Sequence, residues 1–336
     1  MKPIHIVYVM TWTGICGGSK IIFEHCNLLV NLGQKVTIMC NAPRPDWFAI
    51  DARVGFVDMS KTPSCDLIVV TYWRELGLFK GVGVPVVYFE QGDVHLFAPE
   101  TFDAGSLGFI KKQISLPRYV FTVSNFAREK LRETFGVSAH VIPNAIDKGV
   151  FFHAKKRRRR ATVITAIGSQ FVYFKCIPNI ISAVAVLKTK GYNIEFNWIS
   201  PHTPTIANTT AIVNPPQTTI GDVLRRTDIY VCASLFESFC LPVLEAMTCG
   251  AAVVTTDNGG IRDFARDYYN CVIIEKNNVA DMVAKIEMII NDPKLRARLV
   301  QNGAKTARQF DWAVVGEGLI KYYRAIVHEF SRTAIN

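Results

Sequence analysis

The chain of 336 residues has no run of about 18 apolar residues, the length that a membrane-spanning helix needs, although 49% of its residues are hydrophobic. Its first ten residues form a short apolar stretch without the longer apolar core and small-residue cleavage site of a secretory signal. Nine cysteines are an odd number, and none forms a Cys-x-x-Cys pair. We therefore expect buried thiols in a reducing compartment, the cytoplasm, rather than disulfides or zinc.

Acidic residues are fewer than basic ones, and the formal net charge is +10. Residues 151–336 carry 23 Lys and Arg against 15 Asp and Glu, and six of the 23 form the block that starts at Lys155 and ends at Arg160. No recognised nucleic-acid module accompanies this block, so we expect no nucleic-acid partner. The block is either a solvated linker between domains or a peripheral contact for anionic lipid headgroups.

Apolar strand-like runs alternate with helical stretches twice along the chain, and continuous apolar strands between helices predict parallel sheets covered on both faces. We therefore expect two Rossmann-like, doubly wound α/β domains that face a cleft, at residues 1–150 and 151–311. The predicted helices include 19–32 and 177–190. The predicted strands are 4–10, 36–40, 67–72, 84–89, 120–123, 140–142, 162–167, 194–199, 211–213, 229–232, 252–255 and 271–274.

The loop after the first predicted strand contains Gly17 and Gly18 and runs directly into a helix that Ser19 can cap. Ligands of doubly wound sheets bind at the carboxyl ends of the strands, where helix N-termini attract anions. Two residues without side chains allow an anion to approach the backbone there. The loop matches neither the phosphate-binding Walker A pattern nor the dinucleotide fingerprint, and a plain tight turn is the alternative.

A second loop places Glu237 and Glu245 on either side of a predicted helix start, with Pro242 suited to the first helical turn. The helix end suits a diphosphate, and ionised carboxylates accept hydrogen bonds from vicinal sugar hydroxyls. The alternative is that both glutamates are surface groups favoured by the helix dipole.

Glu237 and Glu245, with seven residues between them, closely resemble the Glu-x7-Glu motif of the retaining GT-B glycosyltransferases of family 4, the glycosyl transferases of group 1. The resemblance implies a GT-B fold in which the last helix, within 312–336, packs back on the first domain. Further segments that resemble the family are Gly17-Gly18, Val123-Ser124-Asn125, residues 142–147, residues 258–263 and Phe310-Asp311-Trp312.

The resemblance also implies roles for single residues. Glu237 would contact the donor sugar, Glu245 the ribose hydroxyls, and Lys175 the phosphates, where its charge would stabilise the leaving diphosphate; a solvent-exposed loop lysine is the alternative for Lys175. The donor-binding set that we expect is Gly17, Gly18, Gln170, Lys175, Glu237, Phe239, Cys240, Leu241 and Glu245.

The chain departs from the family pattern at the phosphate site. Gln170 and Cys176 appear in the region where the family places an arginine before the lysine and a glycine after it, so one phosphate-pairing cation is missing. Arg262 and Arg74 are candidates to supply the lost charge.

On the acceptor side, Gln91 is the nearest match to a polar residue, often histidine, that lies beside the reacting sugar in similar enzymes. His95 is a second candidate, either as a proton shuttle or as a structural residue. With Glu237 and Lys175, these two complete the expected catalytic set. Front-face retaining transfer, which the resemblance implies, needs no protein nucleophile because the leaving phosphate can take the acceptor's proton.

GT-A glycosyltransferases hold a divalent metal through Asp-x-Asp, a motif that this chain lacks. We therefore expect a metal-independent enzyme without a cofactor, whose substrates are a UDP-, GDP- or dTDP-sugar and a glycan, lipid-linked or other hydroxyl acceptor. The alternatives are a degenerate noncatalytic subunit that binds a sugar nucleotide, motivated by Gln170, and a GT-B-like sugar-nucleotide epimerase.

Overall fold

Each of two regions in this computed structural model is built around its own parallel sheet, and the structure describes residues 2–155 and 159–333. The first unit ends at Asn144 and takes in the chain again from Trp312, and the second unit is Ala145–Asp311. Residues 156–158, half of the basic block, lie outside the described residues, and with them much of the expected lipid contact. In the described part of the chain, no helix is both long and apolar enough to cross a membrane.

The sheet of the first unit has seven strands, all paired in parallel. In chain order they are β1 (His5–Val9), β2 (Lys35–Met39), β3 (Gly55–Val57), β4 (Leu67–Val70), β5 (Val86–Glu90), β6 (Tyr119–Thr122) and β7 (His140–Val141). Their spatial order is β3-β2-β1-β4-β5-β6-β7. Every residue of β1 and β4 is buried, because helices cover both faces of the sheet.

Four helices of the first unit begin at a residue whose side chain caps the helix. Ser124 caps one of them by accepting a hydrogen bond from the Ala127 amide at 3.0 Å, and Gly136 ends it in the left-handed conformation. The C-terminal helix (Trp312–Thr333) belongs to this unit, where the hydroxyls of Tyr323 and Tyr8 lie 2.8 Å apart. The other helices are α1 (Gly17–Asn31), α2 (Val94–Phe97), α3 (Ala104–Ile114) and α4 (Asn125–Phe135), with 3-10 turns at Trp73–Phe79 and Pro99–Thr101.

The second unit has six parallel strands in the order β10-β9-β8-β11-β12-β13. They are β8 (Thr162–Ile167), β9 (Ile194–Ser200), β10 (Ile212–Val213), β11 (Ile229–Cys232), β12 (Ala252–Thr256) and β13 (Val272–Ile274). The helices are α5 (Ile177–Thr189), α6 (Gln217–Arg226), α7 (Leu241–Thr248), α8 (Val279–Asn291) and α9 (Pro293–Ala307), with 3-10 turns at Tyr173–Lys175 and Gly260–Asp263. The core lies between this sheet and its helices, around Trp198, Ile286 and Leu299.

Each of the twelve predicted strands overlaps an observed one, so the two doubly wound sheets are confirmed. The short edge strand β3 was not predicted. The division between the units falls six residues before the expected boundary at 150/151. Val150 lies with the second unit because Arg225 Nη1 donates to its carbonyl at 2.6 Å, and a Cβ on Gly221 would lie 2.6 Å from the same oxygen.

Candidate functional site

The sheet order places one switch point in each unit, where neighbouring strands send their connections to opposite faces. In the first unit it lies between β1 and β4, and in the second between β8 and β11. The loops that follow β8 and β11 carry Lys175 and Glu237, respectively. The geometry of these two loops defines the candidate site of the second unit.

Lys175 and Glu237 form an ion pair. The Lys175 Nζ donates to Glu237 Oε1 at 2.5 Å, and the Ser234 hydroxyl donates to the same oxygen at 2.7 Å. The two side chains are 25% and 14% exposed, so the pair is shielded without being closed off. Burial disfavours the charged ammonium, but the Glu237 carboxylate outweighs it, and the pKa of Lys175 is raised. Lys175 is therefore a fixed positive charge at physiological pH.

The backbone holds the two loops together. The Leu235 amide donates to the Phe174 carbonyl at 2.7 Å, and the rings of Phe174 and Phe236 stack with centroids 4.4 Å apart. These contacts involve the neighbours of Lys175 and Glu237 in sequence. The ion pair is thus positioned by loop backbone and aromatic packing and not by its own charges alone.

A third loop, after β12, supports Glu237 from the other side. The Glu237 amide donates to the Asn258 carbonyl at 2.9 Å, and Glu237 forms a parallel bridge with Gly259. A Cβ on Gly260 would lie 2.6 Å from the Phe239 amide nitrogen, closer than real Cβ contacts. Glycine at 260 therefore permits the approach of the two loops.

The helices α5 and α7 start beside this pair. Their N-cap residues, Cys176 and Cys240, have φ of 48° and 67° and make no side-chain capping hydrogen bond, and each helix has a proline in its first turn. In contrast, α1, α3, α4, α8 and α9 each begin at a side chain that accepts a capping hydrogen bond. A helix start without such a cap presents amides and a partial positive charge to an anion.

The other expected donor-binding residues of this unit lie close in sequence to the pair but differ in burial. Phe239 is 1% exposed and packs against Phe264 and Phe310, so its backbone is the part that a ligand can contact. Leu241 is the first residue of α7, and Glu245, at 6% exposure, follows one turn later.

The structure gives partners to two residues invoked at the phosphate site. Gln170 is engaged by Thr205, whose amide donates to the Gln170 Oε1 at 3.2 Å. Arg262 donates to Asp257 through Nε and Nη2, both at 2.9 Å, so its charge is paired. Because it is paired with Asp257, Arg262 does not replace the missing phosphate-pairing cation.

In the first unit, the structure brings Gly18 and Gln91 together, since a Cβ on Gly18 would lie 3.4 Å from Gln91 Nε2. Gly17 stands beside them at the start of α1. The glycine loop after β1 and the polar residue after β5 thus meet at the carboxyl edge of the sheet. Such a meeting point is where doubly wound sheets bind ligands.

A buried polar network holds the Gln91 loop. Glu90 accepts from the Tyr88 hydroxyl at 2.6 Å and from the Gly92 amide at 2.7 Å, and His95 Nε2 lies 2.9 Å from it. Burial opposes the charge on each partner, but their mutual attraction outweighs it, so the pKa of Glu90 is lowered and that of His95 is raised. His95 is 3% exposed, and its contact with Glu90 positions the loop next to Gln91.

Sequence reasoning missed Ser234 and Cys232. Ser234 hydrogen-bonds Glu237, and the thiol of Cys232 donates to Ser234 Oγ at 3.4 Å. Neither residue stands in a recognisable motif, and the sequence signal is their position at the end of a buried strand, Cys232 as its last residue and Ser234 two residues later.

Two Rossmann-like units with polar residues at the carboxyl edges of their sheets define the GT-B fold. Sucrose-phosphate synthase from Thermosynechococcus elongatus superposes with a TM-score of 0.83 and 14% identity, over 97% of this chain and 100% of that one. Anabaena Alr3699/HepE in complex with UDP-glucose gives a TM-score of 0.78 at 14% identity, over 96% and 100%. At such identities the likeness shows the fold alone.

Residues 204–306 match the family described as Glycosyl transferases group 1. Glu237 and Glu245, the residues at which the sequence resembles this family, both lie in the matched segment.

Among curated proteins, the N,N'-diacetylbacillosaminyl-diphospho-undecaprenol alpha-1,3-N-acetylgalactosaminyltransferase of Campylobacter jejuni is 32% identical over 32% of this chain and 29% of its own length. The MMP alpha-(1->4)-mannosyltransferase of Mycolicibacterium hassiacum is 24% identical over 66% of this chain and 58% of its own length. The chain thus matches less than two thirds of the length of these relatives.

Proposed function

We propose that this protein is a retaining, metal-independent glycosyltransferase that moves a sugar from a nucleotide-sugar to a hydroxyl of a glycan, lipid-linked or other acceptor. The observation that carries the proposal is the Lys175–Glu237 ion pair at the starts of α5 and α7. A cation between two helix N-termini suits a diphosphate, and a carboxylate beside it suits the hydroxyls of the sugar that the diphosphate carries.

The ion pair also suits the chemical step. As the bond between sugar and phosphate breaks, negative charge grows on the diphosphate, and a preorganised ammonium stabilises it without reorganisation. The raised pKa of Lys175 keeps that ammonium charged. In this mechanism, Lys175 exchanges part of its contact with Glu237 for the phosphate oxygens, and Glu237 turns to the sugar.

Glu237 is better suited to binding hydroxyls than to attacking carbon. Its Oε1 already accepts hydrogen bonds from Lys175 and Ser234, at 2.5 and 2.7 Å, and such bonds stabilise the charge that a nucleophile would use. This supports front-face retention, in which the leaving phosphate accepts the proton of the acceptor hydroxyl. Gln91, held beside Gly18, is our proposed contact for the reacting sugar.

The acceptor class is the less constrained half of the proposal. The name of the Campylobacter jejuni relative specifies a sugar carried on diphospho-undecaprenol, which supports a lipid-linked acceptor. Such an acceptor fits peripheral membrane contact through the basic block from Lys155 to Arg160. Sedimentation with anionic liposomes at low salt tests this contact, and failure to bind would remove it from the proposal.

A noncatalytic sugar-nucleotide-binding subunit is the second candidate. It is favoured by Gln170, which stands where the family has a cation and is engaged by Thr205. The two candidates differ in turnover, because both bind the donor but only the enzyme consumes it.

The test is nucleotide release from UDP-, GDP- and dTDP-sugars with candidate glycan and lipid-linked acceptors, starting with UDP-glucose, which Anabaena HepE holds. We expect Lys175→Ala to lower kcat by about 10²–10³-fold, the effect of removing one transition-state charge contact. Glu237→Gln should also lower turnover. Matched controls are Lys188→Ala, in the last turn of α5, and Glu195→Gln on β9, both exposed and expected to be neutral.

Each outcome of this test decides one part of the proposal. Turnover that survives both site substitutions would contradict our assignment of Lys175 and Glu237. Donor binding without release in the presence of every acceptor would favour the noncatalytic subunit. Protein treated with a chelator should keep its full turnover, and a loss restored by a divalent metal would contradict metal independence.

A further inference from the structure

Two buried cysteines meet beside the ion pair. Cys232 ends β11 and Cys240 precedes α7, and their sulfur atoms lie 3.7 Å apart. They are 7% and 4% exposed. Both sulfurs and a carboxylate oxygen of Glu237 lie within 4.8 Å of one another. The proposed mechanism uses neither thiol.

The backbone at Cys240 supports a role for its side chain. Its φ of 67° and ψ of 56° are left-handed, a conformation that glycine adopts freely and a side chain disfavours. A disfavoured conformation at such a residue points to a function. The side chain points to Cys232, and the side-chain Nδ2 of Asn258 donates to the Cys240 sulfur at 3.6 Å.

We infer that Cys232 and Cys240 are the site of a reversible disulfide, formed by reaction with a peroxide, and that this disulfide weakens binding of the donor diphosphate. The bond itself does not depend on the proposed function, but its effect on the donor does. In a reducing compartment, disulfides are characteristically transient and redox-sensing, and a dithiol at a ligand site fits that pattern.

The chemistry requires one equivalent of peroxide. The thiolate of Cys232 attacks one oxygen of hydrogen peroxide and becomes a sulfenic acid while the O–O bond breaks. The other oxygen leaves as hydroxide, which is protonated to water. The Cys240 sulfur then displaces the sulfenic oxygen as a second water and forms the S–S bond. Two thiols thus lose two electrons to the peroxide, and an external dithiol returns them.

Cys232 suits the attacking role. The hydrogen bond from Cys240 stabilises its thiolate more than burial opposes it, and the pKa of Cys232 is lowered to about 7. The same hydrogen bond and burial raise the pKa of Cys240, which suits the resolving thiol. The two roles follow from one contact.

A disulfide here changes the ion pair through two routes. In its thiol form, Cys232 donates a hydrogen bond to Ser234, the residue that hydrogen-bonds Glu237, and a disulfide sulfur has no hydrogen to donate. Closing the sulfur distance to about 2.05 Å, the length of a disulfide, also pulls on Cys240 at the start of α7. The adjoining backbone at Phe239 already packs tightly against Gly260, so the loop cannot move without disturbing Glu237.

The first measurement maps the bond. Native protein is treated with hydrogen peroxide, free thiols are alkylated, and digested peptides are weighed before and after a dithiol reductant. We expect a linked peptide pair that contains Cys232 and Cys240 and disappears on reduction. Cys232→Ala and Cys240→Gly should each abolish it, the latter with a residue that suits the left-handed backbone, and Cys65→Ser, a half-buried cysteine of the first unit, should retain it.

The second measurement tests the effect of the disulfide on donor affinity by calorimetry, with UDP-glucose, GDP-mannose and dTDP-glucose as probes. We expect the affinity of the reduced protein for its preferred probe to fall about tenfold on oxidation and to recover on reduction. Each cysteine variant is compared with its own untreated state and should show no such fall.

Failure to detect the Cys232–Cys240 peptide would overturn the modification site, whatever the donor results. A mapped disulfide that leaves probe affinity unchanged would overturn its effect on the donor. If the reduced protein binds none of the three probes, the proposed function and the effect on the donor both fail, while peptide mapping still decides the bond.

Discussion

Replacing Gly260 with alanine tests the close approach of the loops that hold Glu237. The added Cβ would lie 2.6 Å from the Phe239 amide nitrogen, 2.7 Å from the Glu237 carbonyl oxygen and 2.8 Å from the Ser238 carbonyl carbon. All three atoms are backbone, so no side-chain rotation can relieve the contact. Gly260 has no positive φ, and the cost of the substitution is therefore one of space alone.

The expected destabilisation is about 1–3 kcal/mol, the range for groups forced into a packed interior. A domain of 150–250 residues loses roughly 2–4 °C in Tm for each kcal/mol, so the second unit should unfold about 2–12 °C lower. The displaced backbone carries Glu237, and we therefore expect donor affinity to fall in the same variant.

Differential scanning calorimetry measures the unfolding temperature, and titration with UDP-glucose measures binding. The matched control is Gly318→Ala in the C-terminal helix, where an added Cβ has no atom within 4 Å. Alanine there should stabilise the first unit by about 0.8–1.0 kcal/mol through helix propensity. If Gly260→Ala unfolds and binds like the unmodified protein, the approach of the two loops is not as close as described.

Two further predictions concern the first unit. The pKa of His95 is raised, so its contribution to stability is full below the unfolded-state pKa of 6.5 and is lost as pH rises through the folded-state pKa. The pKa of Glu90 is lowered, so its contribution is full above the unfolded-state pKa of 4.5 and is lost as pH falls through the folded-state pKa. The difference in Tm between unmodified protein and His95→Gln should therefore be largest between these pH values and shrink on both sides, and a pH-independent difference would refute the charged pair. Tyr323→Phe leaves the buried Tyr8 hydroxyl without its partner at 2.8 Å and should lower the free energy of unfolding by about 1–3 kcal/mol. Adding Tyr8→Phe should restore part of that loss. Strictly additive losses, measured by denaturant unfolding, would contradict the contact.

The fold was predictable because its strands are short apolar runs between helices. Every residue of β1 and β4 is buried, which is why β4 is wholly apolar in sequence and β1 is apolar apart from His5. The edge strand β3 escaped prediction because it has only three residues, all half-buried, and the first of them is a glycine. Short edge strands carry too few residues for a periodic signal.

The candidate site was predictable where a motif spans it. Glu237 and Glu245 stand at a fixed spacing, and Lys175 follows the first strand of its unit. Ser234 escaped because its contact with Glu237 arises from the path of the loop rather than from any spacing. The pairing of Cys232 with Cys240 escaped for the same reason, since the turn between them, and not a Cys-x-x-Cys pattern, brings the sulfurs to 3.7 Å.

The cysteines that begin helices show how conformation, rather than residue type, keeps the site open. Cys16 is extended, with φ of −156°, and its sulfur caps α1 by accepting from the Ser19 amide. Cys176 and Cys240 are left-handed and make no such cap on α5 and α7. A capping oxygen at either position would occupy the amides that a phosphate needs. The uncapped starts beside Lys175 are therefore the part of the structure that favours an anion there, even though Gln170 supplies no charge.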